Sequence, residues 1–144
     1  MLMSNRTQGA DKAIREAWKQ EQELVRQGQG TRDWTPQQQR DILERGKAYD
    51  TNGKAFEGHH KKSVEKYPQY QGDPDNIQFL TRKEHIEAHG GSTQNPTNGF
   101  YNPSTGETID YGIGPPQPNN TVNLSHPVCK ASSQTRDNSM KQGM

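Results

Sequence analysis

KAFEGHHKKSVEKYPQYQGDPDNIQFLTRKEHIEAHGG, residues 54–91, contains four of the five histidines of this 144-residue chain. Two of them are adjacent, His59 and His60, and two are four residues apart, His85 and His89. Residues four apart lie on one face of a helix, about 5–6 Å apart at Cβ, so this pair can bind one cation together. So many imidazoles in a short segment indicate metal or proton-transfer chemistry.

The elements predicted around the histidines bring them together. NIQFL, residues 76–80, alternates apolar and polar residues as a half-buried strand does, and the doublet ends an earlier strand. Thr81 can cap a helix over residues 82–89, with Glu84 as the third residue of a capping box. The order strand, loop, strand, helix therefore predicts that all four histidines surround one point.

The doublet and the pair can divide two tasks between them. Adjacent side chains on a strand point to opposite faces, so the two histidines of the doublet face different surroundings. His59 with His85 and His89 would form a three-histidine site with open positions for water and substrate. His60, neutral near pH 7, is then free to act as a general base.

Two other uses of a histidine pair do not fit. A zincin protease needs a glutamate directly after the first histidine, and here Ile86 follows. A zinc finger needs upstream cysteines, whereas Cys129 is the single cysteine and lies downstream.

The composition also favours a bound metal. Only 26% of the residues are apolar, so any core is small. Small domains usually need a disulfide or a metal as well, and one cysteine cannot form an internal disulfide. The net charge of +1 does not by itself indicate a nucleic-acid binder. Four cations of the histidine segment are candidates for phosphate contacts or members of a solvated face: Lys61, Lys62, Arg82 and Lys83.

The rest of the chain predicts helices and a polar tail. Helical spacing predicts a helix near 10–27, and a capping box predicts another over 36–45. FYNPSTGETIDYG is typical of a hairpin, and no structure is predicted beyond about Gly114. The expected divisions are a helical region over 1–30, a core over 31–99 and an extension over 100–144. No apolar run predicts a membrane span, and no ordinary secretory signal is visible.

The histidine segment resembles the HNH, or ββα-metal, nuclease superfamily. FEGHH and DPDNIQFLTRKEHIEAHGG resemble the stretch of DNase colicins that carries the metal and the base. WTPQQ, GHH, SV, YP and GDPDNIQFLTRKEHIEAHGGSTQNPTNG together are more similar to GHH-signature, endonuclease VII-like toxin nucleases of bacterial polymorphic-toxin systems, often found in Rhs or type VI secretion effectors. The resemblance covers about residues 34–99. It implies an α+β fold, with a small ββα-metal finger flanked by helices and a polar, partly irregular C-terminal tail.

The resemblance also implies roles for single residues. It makes His59, His85 and His89 ligands of one divalent metal ion, which could be Mg, Mn, Zn or Ni. It makes His60 the general base. Asn76 corresponds to the middle asparagine of the HNH signature, a positioning residue, although a turn asparagine after Asp75 is the alternative. Glu57 matches a glutamate before the colicin doublet and is a further catalytic candidate.

The predicted function is therefore a metal-dependent endonuclease that hydrolyses DNA with little sequence preference. The family implies an antibacterial toxin, made in the cytoplasm of a bacterial producer and delivered into a target cell, with a cognate immunity protein as its partner. A non-catalytic nucleic-acid-binding module with a structural metal is one alternative. A nicking HNH enzyme of a mobile element is another. The sequence leaves open the identity of the metal, DNA against RNA, and the oligomeric state.

Overall fold

The computed structural model describes residues 5–129 as helices and short antiparallel strands. Its elements are α1 (Asn5–Arg26), β1 (Gln29–Gly30), α2 (Pro36–Arg45), β2 (Glu57–His60), β3 (Ile77–Leu80), α3 (Arg82–Ala88), β4 (Gly99–Asn102), β5 (Glu107–Asp110) and β6 (Val122–Asn123). The predicted α+β class is confirmed. Among the described residues, no helix combines the length and apolar character needed to cross a membrane.

These elements form two compact units. The first unit comprises residues 5–17 and 54–119, and the second comprises residues 18–53 and 120–129. The expected divisions at residues 30 and 99 stay a prediction.

A ββα arrangement forms the centre of the first unit. β2 and β3 pair antiparallel, with His59 opposite Gln78 and His60 opposite Ile77. β3 is buried at every position, although its alternating sequence predicted a half-buried strand. The reason is Gln78, whose side-chain amide exchanges two hydrogen bonds with the backbone of Tyr101 on β4. A polar side chain satisfied in this way can be covered on its own face of the strand.

α3 begins directly after β3 because of its cap. Thr81 Oγ1 accepts from the Glu84 backbone at 3.2 Å, and the Thr81 backbone donates to Glu84 Oε1 at 2.9 Å. This capping box is the predicted one. The helix ends at Ala88, so His89 lies just beyond the last helical residue. One residue between strand and helix keeps α3 beside β2.

The second unit is organised around a buried carboxylate. Glu21 interrupts the apolar stripe of α1, and it is only 1% exposed. It accepts hydrogen bonds from Trp34 Nε1 at 2.7 Å and from the Thr31 backbone at 2.7 Å. Burial raises the pKa of Glu21, while these hydrogen bonds lower it. The predicted capping box of α2, between Thr35 and Gln38, is confirmed.

The polar tail is more ordered than its composition predicted. The hairpin predicted around PSTG is confirmed as β4 and β5. The prediction that no structure follows Gly114 is wrong for the described residues. In the first unit Asn119 hydrogen bonds to the Ile77 carbonyl at 2.7 Å. In the second unit β6 pairs with β1, and Leu124 is buried. Side-chain amides and backbone pairing supply these contacts, so apolar periodicity gave no signal.

The glycine of the GHH motif permits a close approach of α1 to β2. A methyl group at Gly58 would lie 2.7 Å from Cγ1 of Ile14. We expect Gly58→Ala to lower the free energy of unfolding by about 1–3 kcal/mol, because extra volume in a packed contact forces neighbours to move. Combining it with Ile14→Ala should cost less than the sum of the two single changes. Denaturant unfolding of all three variants measures this; strictly additive losses would contradict the proposed contact.

Candidate metal centre

Three imidazole rings meet at one point of the first unit. His59 lies on β2, His85 lies on α3, and His89 directly follows α3. Their ring centroids are 5.0 Å apart in every pair. One nitrogen of each ring lies within 4.8 Å of the others. The structure thus brings together the three side chains that were predicted as metal ligands.

The outer nitrogens of two rings are held by acceptors. Nδ1 of His85 lies 2.7 Å from Glu57 Oε1, and Nδ1 of His89 lies 2.6 Å from the Asn95 carbonyl oxygen. A carbonyl or carboxylate oxygen accepts, so both Nδ1 atoms carry the proton. Nε2 is then the unprotonated nitrogen of each ring. Metal-binding histidines typically have this arrangement, which fixes the tautomer and the ring orientation.

The third ring has an unpartnered buried nitrogen. Nδ1 of His59 is one of two buried side-chain polar atoms without a hydrogen-bond partner in the part of the chain that the structure describes. Burial lowers the pKa of His59 well below its ordinary value, and the nearby His85 and His89 lower it further. Burial also lowers the pKa of His89. Neutral imidazole is the metal-binding form, so the donor set fits a cation.

His60 stands apart from the three clustered rings. It is half-buried and lines a pocket of about 440 Å³ together with His85, His89 and residues 63–65 and 93–96. Its Nε2 lies 3.1 Å from the Gln71 carbonyl oxygen. Because that oxygen only accepts, Nε2 carries the proton and Nδ1 keeps a free lone pair. Burial lowers the pKa of His60, which favours the neutral form that can accept a proton.

Asn76 bonds to two segments that follow His60, at Lys62 and at Tyr70. Its buried Oδ1 accepts from the Lys62 backbone at 2.8 Å, and its Nδ2 donates to the Lys62 carbonyl at 3.0 Å. Nδ2 also contacts the carbonyl of Tyr70 at 3.4 Å, next to Gln71. The side chain therefore links the end of β2 to the loop that supplies the hydrogen-bond acceptor of His60.

Glu57 contacts a predicted ligand and lies outside the residues that line the pocket. Its Oε1 accepts from His85 Nδ1 at 2.7 Å and lies 3.4 Å from a guanidinium nitrogen of Arg82. This carboxylate can orient the imidazole and increase its basicity. The geometry supports a positioning role for a residue that the sequence suggested as catalytic.

The four candidate phosphate-binding cations divide into two pairs. Arg82 and Lys83 are exposed on the first turn of α3. Lys61 and Lys62 are 0% exposed. Lys61 Nζ donates to the Gln117 carbonyl at 2.7 Å and to Asn119 Oδ1 at 2.8 Å.

The ammonium group of Lys62 is likewise held inside the first unit. It donates to Asn98 Oδ1 at 2.6 Å and to the Gly112 carbonyl at 2.9 Å, and it lies 4.4 Å from the Tyr67 ring centroid. The expectation of phosphate contacts is therefore corrected for Lys61 and Lys62, because neither amine reaches the surface.

Two residues of the site were missed by sequence reasoning. Gln71 contributes only its backbone carbonyl, so its residue type carries no signal. Asn95 follows the Gly90–Gly91 turn, where an asparagine suggests an ordinary loop. The sequence showed only that Asn95 lies six residues after His89, and the contact between them is visible in the fold.

A family model matches a little over half of the chain. Residues 6–81 match the family described as GHH signature containing HNH/Endo VII superfamily nuclease toxin, just over half of the chain. His85 and His89 lie beyond the matched residues, so their place in the centre rests on geometry. The match confirms the resemblance drawn from the sequence.

The chain is also similar to parts of much longer animal proteins. It is 37% identical over 78 residues to Teneurin-3 of Mus musculus, covering 54% of this chain and 3% of the relative. It is 32% identical over 74 residues to Teneurin-4 of Homo sapiens, covering 51% and 2%. It is 36% identical over 69 residues to Teneurin-m of Drosophila melanogaster, covering 47% and 2%. The family model matches residues 6–81, more than half of the chain, which shows that the chain belongs to the GHH-signature nuclease toxin family of the HNH/Endo VII superfamily.

Proposed function

We propose that this protein is a metal-dependent endonuclease that hydrolyses phosphodiester bonds in DNA and acts as an antibacterial toxin. The observation that carries the proposal is His60. Its proton is fixed on Nε2 by a carbonyl, and it lines the same pocket as two of the three clustered histidines. A neutral base beside a cation site is the minimum that metal-assisted hydrolysis requires.

The chain's own residues would divide the work as follows. His60 Nδ1 takes the proton of the attacking water. The Gln71 carbonyl accepts from Nε2–H throughout and stabilises the imidazolium that forms. Asn76 holds the loop that contains Gln71 against the end of β2. Glu57 and the Asn95 carbonyl hold two of the ligand rings.

His59, His85 and His89 would hold the metal ion. When bound, the cation supplies Lewis-acid chemistry: it polarises a non-bridging phosphate oxygen and stabilises the departing oxygen. Three imidazole nitrogens suit Zn²⁺ or Ni²⁺, whereas Mg²⁺ prefers oxygen ligands. The donor set therefore favours Zn²⁺ and Ni²⁺ among the four candidate metals.

The substrate proposal combines charge and family. Arg82 and Lys83 are exposed and available to phosphates. Among the residues that the structure describes, no lysine or arginine lines the pocket, whose walls are histidines, uncharged side chains and Glu65. Contacts from Arg82 and Lys83 to phosphates would hold the nucleic-acid backbone without reading bases, which supports weak sequence preference. The choice of DNA, the toxin role, delivery into a target cell and a cognate immunity protein rest on the family.

A second candidate is a non-catalytic module with a structural metal. The similarity to short parts of long animal proteins favours it, because a similar stretch occurs in proteins named teneurins. The tautomer of His60 argues against a structural module, since a closed structural metal site does not need a base whose lone pair faces a pocket.

A plasmid-nicking assay tests the proposed function. We expect the metal-free protein to be inactive and cleavage to return with Zn²⁺, Ni²⁺ or Mn²⁺. Metal should also raise the melting temperature by several degrees, because a ligand that binds only the folded state stabilises it by about 2.7 kcal/mol at a hundredfold excess over Kd. A folded, metal-loaded protein that cleaves neither DNA nor RNA would favour the structural module instead.

A further inference from the structure

Asn95 makes two reciprocal hydrogen bonds with His89. Its carbonyl oxygen accepts from His89 Nδ1 at 2.6 Å, and its side-chain Nδ2 donates to the His89 carbonyl at 2.7 Å. One residue thus holds both the ring and the backbone of a clustered histidine. The two bonds close a ring between the end of α3 and the following loop.

The backbone of His89 is held by α3, since its N–H donates to the His85 carbonyl at 3.2 Å, but its ring lies beyond the last helical residue. α3 ends at Ala88, and His89 has φ −90° and ψ 11°, outside regular helical geometry. Gly90 and Gly91 follow with φ of 70° and 108°, so the chain turns away at once. The Gly90 and Gly91 backbones donate to the Glu87 and Ile86 carbonyls at 2.9 Å and close the helix end, so the contact to Asn95 is what remains to orient the ring of His89.

The loop that contains Asn95 is folded toward the site. The Asn95 backbone donates to the Ser92 carbonyl at 3.0 Å, which closes a turn. Thr93, Gln94 and Asn95 line the same pocket as His60 and His89. The same short segment therefore lines the pocket and holds the ring of His89.

We propose that Asn95 is a positioning residue for the metal centre, through its side chain as well as its carbonyl. The Nδ2 bond to the His89 backbone holds the carbonyl where His89 Nδ1 can donate to it, and this aims Nε2 at the cation. The inference rests on the proposed three-histidine centre.

Metal affinity of the full chain tests this role. We expect Asn95→Ala to weaken Zn²⁺ binding by about 10–100-fold in a competition titration, the usual effect of losing a group that orients a ligand. The melting temperature of the metal-free protein should not change. Cleavage should recover when the metal is saturating. Asn120→Ala, an exposed asparagine of the second unit, is the matched control.

Asn95→Asp separates positioning from charge. An aspartate cannot donate to the His89 carbonyl, yet its negative charge near the site would attract a cation. Weaker binding by this variant supports positioning, and binding as tight as in the parent protein overturns it. Unchanged affinity in Asn95→Ala also overturns the inference. A parent protein that binds no Zn²⁺ would instead refute the metal centre itself, so the two failures are distinguishable.

Discussion

His60→Ala should lower the rate of plasmid cleavage by about 10²–10⁴-fold, the usual contribution of a general base, and leave metal binding intact. The variant removes none of the three clustered rings. It loses the hydrogen bond from Nε2 to the Gln71 carbonyl. Cleavage kinetics, metal stoichiometry and melting temperature measure the three consequences separately.

The neighbouring position supplies the contrast. His59 is buried within the cluster, so His59→Ala should lose the metal, melt at a lower temperature and abolish cleavage together. His60→Gln is a more specific variant than His60→Ala, because its amide nitrogen takes the position of Nε2 and can donate to Gln71 but cannot take a proton. His126→Ala is the surface control. A His60→Gln protein with near-parental cleavage would show that His60 is not the base.

The parts of the fold that the sequence predicted are those specified by near neighbours. The boxes of Thr81 with Glu84 and of Thr35 with Gln38 each span three residues, and both are present. The His85–His89 pair needs only one helical turn. Placing His59 beside them required the strand pairing as well, and the strand order limited that pairing to few choices.

The contacts that escaped prediction join distant residues through polar atoms. Lys61 is 56 residues from the Gln117 carbonyl and 58 residues from Asn119. Lysines are rarely buried, so exposure was the natural expectation. A segment of asparagine, proline and glycine gives no periodic signal, and here its carbonyl and amide oxygens replace water around an ammonium group. Such burial can be recognised only in three dimensions.

The location of Glu57 was easier to predict from the sequence than its role. The resemblance to DNase colicins made Glu57 a catalytic candidate, and the fold places its carboxylate against His85. Its role depends on which nitrogen of His85 it meets, and that depends on the rotation of α3 about its axis. The contact is to Nδ1, which leaves Nε2 available for the proposed cation.

Lys61→Ala should lower the free energy of unfolding by about 2–5 kcal/mol, since it deletes a buried side chain and leaves two acceptors without a donor. The side chain is 0% exposed, and burial lowers the pKa of its ammonium group to about 8. For a protein of this size the melting temperature should fall by roughly 10 °C.

Lys83→Ala is the matched control, because Lys83 is exposed on α3 and was a candidate for the same phosphate role. It should leave stability unchanged and weaken binding to DNA, with a smaller dependence of affinity on salt. Asn119→Ala should also lower the free energy of unfolding, because it removes one of the two acceptors of the ammonium group and the donor to the Ile77 carbonyl. If Lys61→Ala instead kept the parental melting temperature and lost DNA affinity as Lys83→Ala does, the amine would be reaching phosphate and its buried position would be refuted.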